Sequence, residues 1–332
     1  MIVNIALIGT GNWGKNLVRT FYNLDSSNLA ICCDIDDERL APVRKNYPKT
    51  GTTKNIDDIL SNPDIHGVVV SSSAVTHAEI AKKVLLSGKH VYIEKPLSLN
   101  MKDARALISL SGKMNRKIMV GHLLLYHPAV RKLKQIIDEG ETGEIYYIYS
   151  RRLNLGIIRK EENALWSFAP HDISVILYLM GEEPLAVSCH GGAYLQDGIE
   201  DVVFVDLQFK NRRMAHIHLS WLDPEKTRKT IVVGSRKMAV FDDLEPVNKI
   251  RIYDKGADVR TGYGISARDG GVSTPAVEMK EPLELECRHF IDCIRNNEEP
   301  FTNGENGLQV VRVLESAQKS LENKGRMEEI KR

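Results

Sequence analysis

The 332-residue chain sets 45 Lys and Arg against 44 Asp and Glu, and a formal charge of +1 gives no overall field that would draw it to nucleic acid or an anionic membrane. With 42% hydrophobic and 27% charged residues, 24 Gly and 12 Pro, the composition argues against a globally disordered chain and suits two globular domains. No apolar run approaches the ~20 residues of a membrane span, and the five cysteines show neither a CxxC pair nor zinc spacing with histidines. The apolar start, MIVNIALIGTGNWG, has no basic leader before it and no cleavage site after it, so it reads as a buried strand. The expectation is a cytoplasmic protein with reduced thiols and no bound metal, acting on a small molecule.

Taken in chain order, residues 1–120 alternate short apolar segments with helix-length ones. Strands are predicted over residues 4–8, 29–34, 68–72, 90–94 and 118–120, mostly continuous apolar runs as in parallel strands covered on both faces. The stretch 76–87 is amphipathic, with Ile80, Val84 and Leu85 on one side. This alternation implies a doubly wound parallel sheet. The pattern changes near residue 122. Helices are predicted over 127–139 and over 172–180, the latter stopped by Gly181. Residues 202–210 and 214–221 alternate apolar and polar positions, the mark of a half-covered antiparallel sheet. Further strands are expected over 230–233, 238–242 and 250–253. Residues 256–273, rich in Gly and charge, read as a mobile loop, and residues 283–294 and 305–323 as closing helices. The fold class is therefore α/β: a Rossmann domain over residues 1–122, then an α+β domain with a mainly antiparallel open sheet over 123–332.

Gly9-Thr10-Gly11-Asn12-Trp13-Gly14 is GxGxxG, lying between a predicted strand and a helix, with Asp34 at the end of the second strand. Gly9 permits the tight turn, Gly11 lets the backbone approach a pyrophosphate, and Gly14 lets the helix pack close to the sheet. The helix N-terminus offers N–H donors and partial positive charge to phosphates. Asp34 suits ribose hydroxyls and repels a 2′-phosphate, so NAD is expected over NADP; its alternative is a helix cap. Glu94-Lys95-Pro96 stands at the carboxyl end of the fourth predicted strand, where an open α/β sheet binds ligands.

GxGxxG, this Glu-Lys-Pro and an antiparallel second domain together resemble the glucose–fructose oxidoreductase / inositol dehydrogenase (Gfo/Idh/MocA) family over essentially the whole chain. The resemblance implies that Ser72, Ser73 and His77 follow the family's cofactor-touching strand, and that Gly121 and the segment from Tyr126 through Gly140 and Gly143 lead into the second domain. It also implies a catalytic histidine at the start of a second-domain helix, here His171 of Trp166-Ser167-Phe168-Ala169-Pro170-His171-Asp172. Ser167 stands where the family often has an acid, so the imidazole is oriented either by Ser167 or by Asp172, which is equally suited to capping the helix. In the implied chemistry, hydride leaves an alcohol for the nicotinamide. His171 takes the proton and Lys95 stabilises the same oxygen. His122, His127, His216 and His218 read as structural.

The run from Arg151 to Trp166 offers Arg152 and Arg159 for phosphates, Asn154 and Asn163 for hydroxyl or acetamido groups, Trp166 for stacking, and Tyr126 joins them as a substrate contact. With WSFAPHDIS it is similar to the family's UDP-N-acetylglucosamine 3-dehydrogenases. That implies a UDP-N-acetylhexosamine oxidised at C3. The alternatives are a dehydrogenase of a free sugar or inositol, or an NAD-binding regulator without catalysis, which the presence of both Lys95 and His171 disfavours. The half-covered sheet implies a homodimer or homotetramer.

Overall fold

The computed structural model describes residues 2–156, 158–160, 162–260 and 264–331. The chain forms two compact units, Met1–Tyr126 with Lys280–Val311, and His127–Met279 with Arg312–Arg332.

In the first unit the strands are β1 (Val3–Ile8), β2 (Ser27–Cys33), β3 (Gly51–Thr53), β4 (Gly67–Val70), β5 (His90–Glu94) and β6 (Ile118–Gly121). Between them run α1 (Gly14–Asn23), α2 (Asp37–Asn46), α3 (Asp57–Leu60), α4 (Ala74–Leu86) and α5 (Met101–Met114). The strands pair parallel in the order β3-β2-β1-β4-β5-β6. The order reverses between β1 and β4, the switch point at whose carboxyl ends open α/β sheets bind ligands. Period-two alternation sends Ile5, Leu7, Val69 and Tyr92 into one core and Ala6, Ile8, Val68, Val70 and Ile93 into the other.

The second unit contains α6 (Pro128–Asp138), β7 (Ile145–Leu153), α7 (Ala164–Met180), β8 (Ala186–Gly192), β9 (Val202–Gln208), β10 (Met214–Ser220), β11 (Thr227–Gly234), β12 (Met238–Asp242), β13 (Ile250–Arg260) and β14 (Gly264–Ser273). Next in the chain come α8 (Pro282–Asn296), which belongs to the first unit, α9 (Gly304–Glu322), which begins in the first unit and ends in the second, and β15 (Glu328–Glu329) of the second. The nine-stranded sheet runs β14-β13-β12-β11-β7-β10-β9-β8-β15 and is antiparallel except where β7 meets β10. Ile148, Ser150 and Arg152 of β7 and Ala215, Ile217 and Leu219 of β10 are buried on the face that α7 covers, while Tyr147, Arg151, Phe204 and Met214 are exposed on the other.

Four elements differ from the sequence expectations. First, α8 packs on the first unit: Leu283, Cys287, Phe290 and Ile291 share a core with Leu7, Phe21 and Tyr92, so that unit is assembled from two separate stretches of chain and not from residues 1–122 alone. Second, α7 begins at Ala164, because Asn163 caps it by accepting from the Trp166 N–H; Pro170 lies inside the helix, where a proline reads from sequence as a boundary. Third, the expected loop over 256–273 is a β-hairpin, apart from residues 261–263, which lie outside the described residues. Its charges pair across the ladder, Lys255 with the directly opposed Asp269 at 3.0 Å and Arg268 with Asp254 at 3.0 Å. Fourth, the short β3 precedes β4, which makes the strand ending in Glu94 the fifth.

Candidate active site

Gly9 follows β1 with φ +94°, and a Cβ there would lie 2.6 Å from the Ser72 backbone nitrogen; a Cβ on Gly14 would lie 2.0 Å from the Gly9 carbonyl oxygen. Both glycines are therefore demanded by the fold. Gly11 is different: a Cβ would meet only Arg39 Nη1, at 3.6 Å. Space is kept open at the turn, which suits a ligand coming up against the backbone. Beyond it Trp13 precedes α1 with no side-chain cap and the first turn carries no acid, so the positive end of the helix dipole is not neutralised there; the Lys15 and Asn16 N–H groups already donate to the Gly11 and Trp13 carbonyls, at 3.2 and 2.8 Å. Asn12 beside them is exposed.

Asp34, 5% exposed just past β2, accepts from the Thr10 N–H at 2.8 Å and the Thr10 hydroxyl at 3.2 Å through Oδ2, and from the Asp36 N–H at 3.0 Å through Oδ1. These donors hold a carboxylate beside the turn. The cap of α2 is Asp36, not Asp34.

The turn is tied to the end of β5. Trp13 donates its indole N–H to Glu94 Oε1 at 2.7 Å, Tyr92 donates its hydroxyl to the same oxygen at 3.2 Å, and the Lys95 N–H reaches Oε2 at 3.2 Å. Burial pushes the Glu94 carboxyl upward, and these donors with the Lys95 charge oppose that push. Across the core lies Glu286 of α8, 0% exposed, with neither oxygen in a hydrogen bond of good geometry among the described residues. Burial first and the Glu94 charge second drive its carboxyl well above the usual range, with Tyr92 offsetting part of the rise. Glu286 carries no signal in the sequence, because a glutamate on an amphipathic helix looks solvated until the helix's partner is known.

The Lys95–Pro96 peptide is cis. His77, 1% exposed, has Nδ1 2.8 Å from the Pro96 carbonyl and Nε2 3.1 Å from the Ser72 carbonyl, and burial lowers its pKa. Its nitrogens are occupied by backbone, so His77 holds the loop after β4 against the loop after β5; a direct cofactor contact does not fit. Ser72 is half-buried, its hydroxyl 2.7 Å from that of Thr76.

In the second unit, His171 is half-buried in the middle of α7 and not at its start. Ser167, one turn earlier, is 2% exposed. Asp172 faces the sheet, where its carboxylate receives the Ser150 hydroxyl and Arg152 Nε, the latter at 2.6 Å. Three expected substrate contacts are thereby corrected. Arg152 is 9% exposed and spends its charge on Asp172. Asn163 uses its amide to cap α7 and to reach Glu200 Oε2 at 2.7 Å and Gln318 Oε1 at 3.1 Å. Tyr126 is 1% exposed in the first unit, its hydroxyl 3.0 Å from that of Thr302 and its ring against Phe301. Trp166 is half-buried and donates to Gln318 Oε1 at 3.1 Å. Arg159 remains available: its side chain is 49% exposed, with Nη1 3.4 Å from Glu162. Asn154 is half-buried and lies over Gly156. No helix of the described residues is long and apolar enough to cross a membrane.

Comparison with known proteins agrees with this architecture. Residues 3–122 match the model of the oxidoreductase family's NAD-binding Rossmann fold, and residues 130–240 match the GFO/IDH/MocA C-terminal domain. Among curated relatives, the chain is 25% identical to the myo-inositol 2-dehydrogenase of Thermotoga maritima, over 97% of each chain. It is 26% identical to the UDP-N-acetylglucosamine 3-dehydrogenase of Acidithiobacillus ferrooxidans, over 92% of this chain and 93% of that one. Among solved structures, an oxidoreductase from Magnetospirillum magnetotacticum superposes with a TM-score of 0.84 at 31% identity, covering 95% of this chain and 99% of the other.

Proposed function

The chain belongs to the GFO/IDH/MocA oxidoreductase family and is an NAD-dependent dehydrogenase of CH–OH groups; on that premise we propose that its substrate is a UDP-N-acetylhexosamine, oxidised at C3 of the sugar ring to a ketone. Arg159 carries this reading. A half-exposed guanidinium stands on the segment leading to His171, with the exposed Lys160 beside it. A pyrophosphate rewards such cations through charge-assisted, bidentate bonds, whereas a neutral sugar gains little from them. The Acidithiobacillus relative, by its name, acts on a UDP-N-acetylhexosamine.

The bound nicotinamide supplies the hydride acceptor. Lys95 hydrogen-bonds the reacting oxygen and stabilises the charge that grows on it. His171 takes the hydroxyl proton, the general-base role that imidazoles most often fill. Ser167, one turn away on the same face of α7, orients the imidazole, since Asp172 is committed to Arg152. Binding energy from the nucleotide, remote from the reacting carbon, holds that carbon in place. A second copy of the chain covers the open face of the nine-stranded sheet, where Tyr147, Phe204 and Met214 are exposed, in a homodimer or homotetramer that light scattering would register.

The test is NADH formation across UDP-sugars, free sugars and inositols. UDP-N-acetylhexosamines are expected to be turned over most efficiently, and Arg159→Ala to lower kcat/KM on them by roughly ten- to a hundredfold with NAD affinity unchanged. His171→Ala is expected to lower kcat by about 10²–10⁴-fold. Higher efficiency on myo-inositol or glucose would overturn the nucleotide-sugar reading. The second reading, an inositol or free-sugar dehydrogenase, would then hold, as the Thermotoga relative already suggests.

A further inference from the structure

His122 stands directly after β6. Glu94 of β5 pairs in register with Gly121 of β6, so Lys95 and His122 leave the sheet side by side at the carboxyl ends of adjacent strands. The imidazole is 1% exposed. Its Nδ1 lies 2.7 Å from Asn306 Oδ1, a carbonyl oxygen with no proton to give, so Nδ1 carries the N–H and donates. Asn306 is itself held in place, its backbone N–H donating to Asn303 Oδ1 at 3.0 Å. This fixes the tautomer: Nε2 presents a lone pair, is fully buried, and meets no hydrogen-bond partner among the described residues. Burial, with the Lys95 charge adding to it, lowers the imidazole to about 4, so the ring stays neutral and Nε2 stays an acceptor at neutral pH.

A buried acceptor without a donor is unusual and costly. The Lys95 charge, one strand away, acts on this ring. We propose that His122 is a positioning residue for Lys95: in solution its Nε2, unbonded in this structure, takes the Lys95 ammonium as donor and sets where that ammonium stands above β5 and β6. The effect on turnover rests on the role given to Lys95 above; the hydrogen bond itself does not.

The experiment reads Lys95 directly. The full-length protein is treated with trace acetic anhydride at fixed pH, and acetylation of Lys95 is followed by peptide mass spectrometry. His122→Asn keeps a donor for Asn306 and removes the Nε2 acceptor; His122→Gln places an oxygen near the Nε2 position. Losing an acceptor disfavours the ammonium, so His122→Asn is expected to acetylate Lys95 roughly tenfold faster than the native chain, with His122→Gln restoring most of the protection. In turnover, kcat falls in His122→Asn while KM for the sugar holds. Equal acetylation in native protein and His122→Asn overturns the proposal whatever turnover does. Faster acetylation with unchanged turnover upholds the hydrogen bond and overturns instead the role of Lys95 in the chemistry. Should His122→Asn not fold, long-range ¹H–¹⁵N spectra of the histidines decide: the His122 Nε2 signal moves in Lys95→Met if the bond exists and stays fixed if it does not.

Discussion

Arg152 and Asp172 form a two-pronged ion pair on the helix-covered face of the nine-stranded sheet, Nε to Oδ2 at 2.6 Å and Nη2 to Oδ1 at 3.4 Å, with side-chain exposures of 11% and 2%. Removing one partner strands the other charge in the core. Arg152→Ala is expected to cost about 3–5 kcal/mol of stability in urea unfolding, and replacing both partners with Met and Leu to recover most of it. A loss of activity in Arg152→Ala without loss of stability would return this arginine to the substrate.

Asp34 is expected to set the cofactor preference. Native protein should bind NAD more tightly than NADP, and Asp34→Ser should weaken NAD by about tenfold or more while narrowing the difference, since a carboxylate hydrogen bond is lost and a repulsion removed. Calorimetric titration of both cofactors measures this. Equal affinities in the native chain would contradict it. Because Asp34 also holds the N–H and hydroxyl of Thr10, the variant should melt earlier as well.

Glu286 predicts a pH dependence. Its carboxyl is raised well above the usual range in the folded protein, by burial and then by Glu94. A group shifted this way contributes stability that is complete below its unfolded value of about 4.3 and is lost as pH rises through the folded value. Glu286→Met abolishes that loss. The variant should therefore gain on the native chain as pH rises from 5 to 8, by roughly 2–4 °C in Tm for each ~1 kcal/mol recovered. A stability difference that does not change with pH would rule out a titrating Glu286.

Much of this was legible from sequence where the signal is local. The GxGxxG turn, Asp34 and the Glu-Lys-Pro strand end are short-range patterns whose geometry follows from backbone constraints, and the structure finds Gly9 and Gly14 in close approaches that forbid a side chain. What escaped depends on partners distant in the chain. The apolar side of α8 is plain from its spacing, but nothing in that spacing names Leu7 and Phe21 as what it covers. Arg152 and Asn163 read as free polar groups because Asp172 and Gln318 become their partners only through strand register and helix packing. The hairpin of β13 and β14 was hidden by its own composition: charges that suggest a solvated loop are, in register, the cross-strand pairs that hold it.

The two-part origin of the first unit bears on the order in which the protein is made. At ~5–20 residues per second, roughly ten to thirty seconds separate the emergence of Tyr126 from that of Phe290 at the ribosome. Throughout that interval the nascent sheet lacks the helix whose Phe290 packs edge-on against Tyr92, ring centroids 5.8 Å apart, so one apolar face stays open while His127–Met279 of the second unit is being synthesised. The nucleotide-binding half is thus translated first and completed late.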